Sequence, residues 1–377
     1  MSREEERVLL FKNPSGGDLY AQALLTVLCA PAGVPIKLTT YRRVWIPEDV
    51  FTNPRNLENR KALMICVDAE RNRSNKWWVK NFYPIREVHI KKSEIEGDYL
   101  ALWVEPQGYV VCHDSEKYTD DLKKSLSKYP PDEKSYVAYD SVRNLQVVDP
   151  KDQSRTLTVW QSLVETLASL KAFERAAFFT LTKVSSKKDG KIINLEKTGL
   201  PDPSVAYKLI QHNNYVLTFM HLLPFHDQRE KLGRLEIELH TPLGVESDRN
   251  LFEIFGRHNS HDVTFKFKTK AFGECSAIEA SPTDRSFKRA PILSIPIKFT
   301  PRPLWRRLLR NLGLFVASCF AVFFYIYGQL IQTTKSYPTL ETFMTVSPEL
   351  IGATLSSLTL LAIPIFVSLM IAGKSQE

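Results

Sequence analysis

Apolar and polar residues alternate most regularly in the second half of the chain. In "LEIELH", Leu235, Ile237 and Leu239 share one parity and Glu236, Glu238 and His240 the other. In "VTFKFKTK", Val263, Phe265 and Phe267 oppose Thr264, Lys266 and Lys268. A period of two predicts antiparallel strands with one buried and one wet face. "FFTLTKVSSKKDGKIINLEK" carries Asp189-Gly190 between two such runs, a strong hairpin signal. "NYVLTFMHLLPF" and "APILSIPIKFTP" add further runs, with turn residues between them. The pattern predicts an immunoglobulin-like β-sandwich over 179–303.

Residues 1–148 show shorter runs. A helical pattern runs from Asp18 to Cys29 and stops at Pro31 and Gly33. Strand-like runs follow, among them "IKLTTYRRVWI", "ALMICVD", "REVHIKK" and "DYLALWVEPQGYVVCH". Pro106-Gln107-Gly108 predicts a turn inside the last of these. "TDDLKKSLSKY" predicts a polar helix ended by Pro130-Pro131. The unit is expected to be α+β, a small curved sheet or partial barrel. Between the two β-rich domains, over 151–178, Trp160, Leu163, Leu167, Leu170 and Phe173 recur at spacings of three and four. This is a connector helix with one apolar side.

The C-terminal segment breaks both periods. No charged residue occurs between Arg310 and Lys335 or between Glu349 and Lys374, and each gap is 24 residues. A membrane-spanning helix needs about 20 mostly apolar residues. The chain is therefore expected to end in a two-helix transmembrane hairpin: a basic juxtamembrane segment and first span over 304–335, a short external loop over 336–349, and a second span with tail over 350–377. Trp305, Arg306, Arg307 and Arg310 form an interfacial anchor, and the Lys/Arg bias predicts that the N-terminal domains and the tail "KSQE" are cytoplasmic. Gly313, Ala317 and Ala321 on the first span, and Gly352 and Ser356 on the second, make small-residue faces suited to helix packing. The chain opens Met-Ser-Arg-Glu-Glu-Glu-Arg, and its first apolar run is broken by Lys12, so no signal peptide is expected.

Charge and cysteines refine this picture. Fifty Lys and Arg against 42 Asp and Glu give +8, and the arginines beside the first span account for part of it. The five cysteines are scattered and odd in number, without a Cys-x-x-Cys pair, which predicts reduced, packed thiols.

Catalytic motifs are sparse. No Gly-x-x-x-x-Gly-Lys-Ser/Thr and no Gly-x-Ser-x-Gly occurs; Gly373-Lys374-Ser375 lacks the leading glycine, since position 368 is Ser. "NPSGG" at Asn13–Gly17 resembles the phosphate loop of diacylglycerol- and sphingosine-type lipid kinases. It lacks that loop's spacer residue, and the chain lacks their second Gly-Gly-Asp-Gly-Thr loop. A strand-to-helix turn with Asp18 as N-cap explains the same letters. His221 and His226 flank "LLPF". His258, His261 and Asp262 fall within five residues, but as a polar loop before a strand and without the one-turn spacing of a helical metal site. No metal or cofactor is expected. "RNRSNKWWVKNFYPIR" interleaves Arg71, Arg73, Lys76 and Lys80 with Trp77 and Trp78, a composition that stacks bases and holds phosphates. These residues are the candidate ligand site, with a nucleotide or single-stranded nucleic acid as its ligand.

The expected function is a membrane-anchored cytoplasmic sensor or adaptor. It binds a partner or small ligand and signals by oligomerising its hairpin; the expected partner is a second copy of the chain or a cytoplasmic protein. The layout resembles that of membrane-disrupting effectors of prokaryotic antiviral defence. The alternative is a passive tether at the lipid bilayer, and a lipid- or nucleotide-modifying enzyme is the last reading.

Overall fold

Seventeen strands and three α-helices make up the described residues of a computed structural model: 7–43, 46–71, 77–111, 135–140, 146–174, 176–199, 205–211, 213–222, 235–254, 258–267, 275–283, 289–300 and 313. The protein is mainly β. In chain order the elements of the first half are β1 (Arg7–Lys12), α1 (Asp18–Cys29), β2 (Ile36–Arg42), α2 (Glu48–Thr52), β3 (Lys61–Arg71), β4 (Trp77–Glu96), β5 (Tyr99–Val111), β6 (Ser135–Asp140), β7 (Gln146–Val147) and α3 (Gln153–Ala168). The second half holds β8 (Phe178–Ser186), β9 (Leu195–Lys197), β10 (Val205–Ile210), β11 (Asn214–Leu222), β12 (Leu235–His240), β13 (Val245–Ser247), β14 (Leu251–Ile254), β15 (His258–Phe267), β16 (Cys275–Pro282) and β17 (Leu293–Thr300).

The first sheet runs β2-β5-β4-β3-β1-β6, with β7 on β5, and curls into a half-barrel. β1 and β3 are parallel, and the neighbouring pairs are antiparallel. Alternation along β1 sends Val8 and Leu10 to the face that carries α1, and Leu9 and Phe11 to the opposite face. β3 repeats this with Ala62, Met64 and Cys66 against Leu63, Ile65 and Val67. The sheet therefore has two differently finished faces.

The C-terminal end of α1 is closed by side chains. A helix leaves its last four carbonyls without partners in the helix. Here Arg86 donates from one Nη1 to Val27 O at 2.8 Å and Ala30 O at 2.6 Å, Tyr109 Oη to Leu28 O at 2.6 Å, and Thr180 Oγ1 to Cys29 O at 2.5 Å. Arg86 also donates from Nε to Gln107 O at 2.8 Å, and its guanidinium lies 4.4 Å from the Tyr109 ring centroid. The guanidinium is fully buried. Its charge meets the negative end of the helix dipole, which offsets part of the desolvation.

The remaining strands form two sheets, β14-β12-β16-β17-β10-β9 and β13-β15-β11-β8. They face each other through aromatic contacts: Phe252 on Phe179 and Phe219, and Phe267 on Phe299. Ile237, Leu239, Val263, Phe265 and Phe267 are buried while Lys266 is exposed, as the alternation predicts. The Asp189-Gly190 turn forms with Gly190 at φ 67°, closed by Ser186 N–H to Lys191 O. Beyond it the chain changes sheets, and β9 pairs with β10.

Residues 1–300 pack as one compact unit, and 301–377 form a second. In the first, α1, α3 and the facing sheets share one apolar cluster, to which α3 contributes Trp160, Val164, Leu167 and Ala168. In the second, Gly313 is helical. Among the described residues no helix is long and apolar enough to cross a membrane. The two uncharged runs lie outside the described residues apart from Gly313.

Two local expectations are corrected. Pro106-Gln107-Gly108 is not a turn, because β5 runs through it without a break. Pro106 lies beside the register shift between Arg86 and Val88, where a missing N–H is tolerated. Gly108 is required by close approach instead: a Cβ there would lie 1.8 Å from Val148 O. Asp18 is the first residue of α1 and not its cap. Gly17 takes the cap position at φ 149°, open to glycine, and the Asp18 carboxylate accepts from Arg289 Nε at 3.3 Å.

Candidate functional site: a basic cleft at the starts of β1 and β3

Among the described residues the face opposite α1 carries a small buried apolar cluster, which includes Leu9, Phe11, Leu63, Ile65 and Phe82. At one end of it lies a cleft of about 380 Å³ lined by Arg7, Asn59, Arg60, Lys61, Glu87, His89 and Gln107. Register brings these residues together. Val8 pairs with Ala62, so Arg7 and Lys61 start neighbouring parallel strands. Lys61 pairs with His89 and Leu63 with Glu87 across the β3–β4 ladder. Parity then places Arg7, Lys61, Glu87 and His89 on the face of Leu9 and Leu63.

The rim is held from below. A 3-10 turn over Pro54–Leu57 buries Leu57 completely. Ser93 Oγ donates to Pro54 O at 2.6 Å, and Ser93 N–H donates to Glu58 Oε1 at 3.2 Å. Asn59 then adopts φ 61°, the only positive φ at a non-glycine residue among the described residues. Asparagine tolerates this left-handed conformation. Asn59 N–H bonds to Ile90 O at 2.8 Å and Ile90 N–H to Arg60 O at 3.0 Å, which pins the turn to β4. Arg60 and Lys61 are exposed at the rim, whereas Arg7, Glu87, His89 and Gln107 are half-buried.

The charge is lopsided. Arg7, Arg60 and Lys61 face one carboxylate, Glu87, which already accepts from Arg7 Nη1 at 2.8 Å. A concave site with a surplus of cations concentrates anions, and guanidinium groups bind carboxylate and phosphate oxygens in pairs.

The strongest perturbations of acidity lie elsewhere and belong to the interior. Lys12 follows Val8 and Leu10 to the α1 face, with Nζ 3.5 Å from the Tyr41 ring centroid. Burial holds its pKa well below the lysine range, and none of its surface reaches solvent. It is an amine packed over aromatic rings rather than an accessible nucleophile. Asn13 Oδ1 accepts from Ser15 N–H at 3.0 Å, so "NPSGG" forms the strand-to-helix turn. Burial raises the Cys29 thiol to about 12 and the Cys66 thiol well above its ordinary value, which marks both as inert.

The histidines regroup. His258, His261 and Asp262 lie within β15 and not in a loop, because β15 pairs along its length with β11. Neighbours in a strand point to opposite faces. Asp262 accepts from Thr218 Oγ1 at 2.7 Å on the exposed side. His261 points inward, its Nε2 2.9 Å from His221 Nδ1, and Phe252 stacks on it from the other sheet. Among the described residues no three metal-ligating side chains converge. Sequence proximity grouped His261 with His258; strand pairing joins it to His221.

The basic-aromatic stretch occupies the far end of the β3–β4 pair. Arg71 pairs with Trp77 and Glu70 with Trp78, and Lys80 Nζ bonds to Glu70 Oε1 at 2.7 Å. Arg73 and Lys76 lie outside the described residues, as do Trp305, Arg306, Arg307, Arg310, Ala317, Ala321, Gly352 and Ser356. The cleft residues were not singled out from sequence. The signal present was Arg60-Lys61 standing directly before an apolar run, which also reads as an ordinary solvated strand start. No protein-family model, no curated protein and no solved structure matches the chain.

Proposed function

We propose that the protein is a membrane-anchored sensor of an anionic small ligand, with the cleft at Arg7, Arg60, Lys61 and His89 as its receptor site. The observation that carries this is the charge surplus in a pinned concavity: three cations, with the one carboxylate already bonded to Arg7. A phosphorylated molecule answers that surplus.

In this reading the facing sheets are an immunoglobulin-like sandwich, and 304–335 and 350–377 form a transmembrane hairpin with the remainder cytoplasmic. The two 24-residue uncharged runs and the arginines before the first of them support the anchor. Ligand-driven association would bring hairpins together through Gly313, Ala317, Ala321, Gly352 and Ser356.

The test is native mass spectrometry of the full-length protein after gentle detergent extraction. A homo-oligomer carrying a phosphorylated small molecule is expected. A monomer bound to one foreign protein, with no small molecule, would overturn the sensor reading in favour of a tether.

A further inference from the structure

The chain leaves the 1–300 unit at Thr300, and strand register fixes what lies beside that exit. Thr300 pairs with Ile210, the last residue of β10, so the β10–β11 turn opens there. Tyr215, early in β11, pairs with Ser186 at the end of β8, which places the Lys187–Ile192 turn at the same end. β12 and β17 both run antiparallel to β16 and so point the same way. The loop after β12 therefore opens at this end too, leading into Val245, which pairs with Phe267.

These loops share an unusual surface. Leu243, at the tip of the β12–β13 loop, is 95% exposed, and Ile192 and Ile210 are also exposed. Around them Lys187, Lys188, Lys191 and Lys266 are exposed, against the carboxylates of Asp189 and Glu246. Asp189 is engaged locally: a hydrogen bond with the Ser186 side chain and the Lys191 N–H hold its pKa below the ordinary value. Bare apolar tips ringed by lysines are the surface that binds an anionic lipid interface.

We propose that this end of the two facing sheets docks on an anionic bilayer, with Lys187, Lys188 and Lys191 on lipid headgroups and Leu243 in the interface. The proposal rests on the membrane-anchor reading above. Ten residues, 301–310, separate Thr300 from the first uncharged run, and they include Arg302, Arg306, Arg307 and Arg310. Fully extended they reach at most about 35 Å. An anchored chain thus keeps this end close to the surface whose charge it complements.

The experiment reconstitutes the full chain in vesicles of about 3:1 phosphatidylcholine to phosphatidylserine containing a photoactivatable lipid. Adducts are then mapped by peptide mass spectrometry. Adducts within both 187–192 and 241–244, together with 311–334, are expected. A variant carrying K187E, K188E and K191E should lose the loop adducts and keep those in 311–334. Adducts confined to 311–334 in the unmodified chain would overturn the docking while leaving the anchor intact, and would point to a protein partner for this end. Adducts in neither region would overturn the anchor itself.

Discussion

The two faces of the first sheet share the same strands and end in opposite ways. On the α1 face the carbonyls of Val27, Leu28, Cys29 and the cap residue Ala30 each meet a side-chain donor, and even Lys12 and Arg86 are drawn fully inside. On the other face a small apolar strip ends in a concavity whose cations outnumber its carboxylate. A protein interior satisfies its polar groups internally. A concave surface that gathers like charge around a pinned turn concentrates anions. The contrast predicts that changes on the α1 face cost stability, whereas changes at the cleft rim cost binding.

The largest loss is expected at Arg86. Replacing it with alanine strands Val27 O, Ala30 O and Gln107 O. Each buried acceptor left without a donor costs about 1–3 kcal/mol, so the total exceeds about 3 kcal/mol. Urea unfolding measures this, and a loss below about 1 kcal/mol would remove the distinction between the faces. Next comes Gly108→Ala. Its Cβ would collide with backbone, Val148 O, which cannot swing aside as a side chain does. A loss of about 1–3 kcal/mol is expected, and an unchanged unfolding midpoint would mean that β7 does not cross β5 so closely.

Acidification should produce a smaller change. Burial, helped by the charge of Arg249, lowers the pKa of His261 below the ordinary 6.5, while Asp262 opposes the shift. The unfolded chain therefore binds the proton more readily. Stability is full above that range and falls as pH drops through and below it. A stability profile flat between pH 7 and pH 5 in the unmodified protein, matched by that of His261→Phe, would remove this contribution.

Sequence and structure agree where a single local rule operates. The α1 bounds, the parity of Ile237, Leu239, Val263, Phe265 and Phe267, and the Asp189-Gly190 turn each follow from one period or one backbone preference. They part where distant segments meet. Pro106-Gln107-Gly108 has turn letters, yet Gly108 is needed to admit Val148 O. The His221–His261 pair depends on the β11–β15 register, which no spacing along the chain reveals. The cleft was the least legible feature. Its residues come from β1, the turn before β3, β3, β4 and β5, and each alone looks like a charged strand end in water.

The central claim is that the rim of the cleft binds an anion without supporting the fold. Exposed side chains such as Arg60 and Lys61 contribute within about ±0.5 kcal/mol to stability. Calorimetric titration of the full-length protein in detergent, with pyrophosphate and nucleoside phosphates as probes, tests this against the double variant Arg60→Ala, Lys61→Ala. The account predicts saturable binding to the unmodified protein and at least about a tenfold loss in the variant, with the unfolding midpoint unchanged. Equal binding by both proteins, or no binding of any of these probes to the unmodified protein, would contradict it.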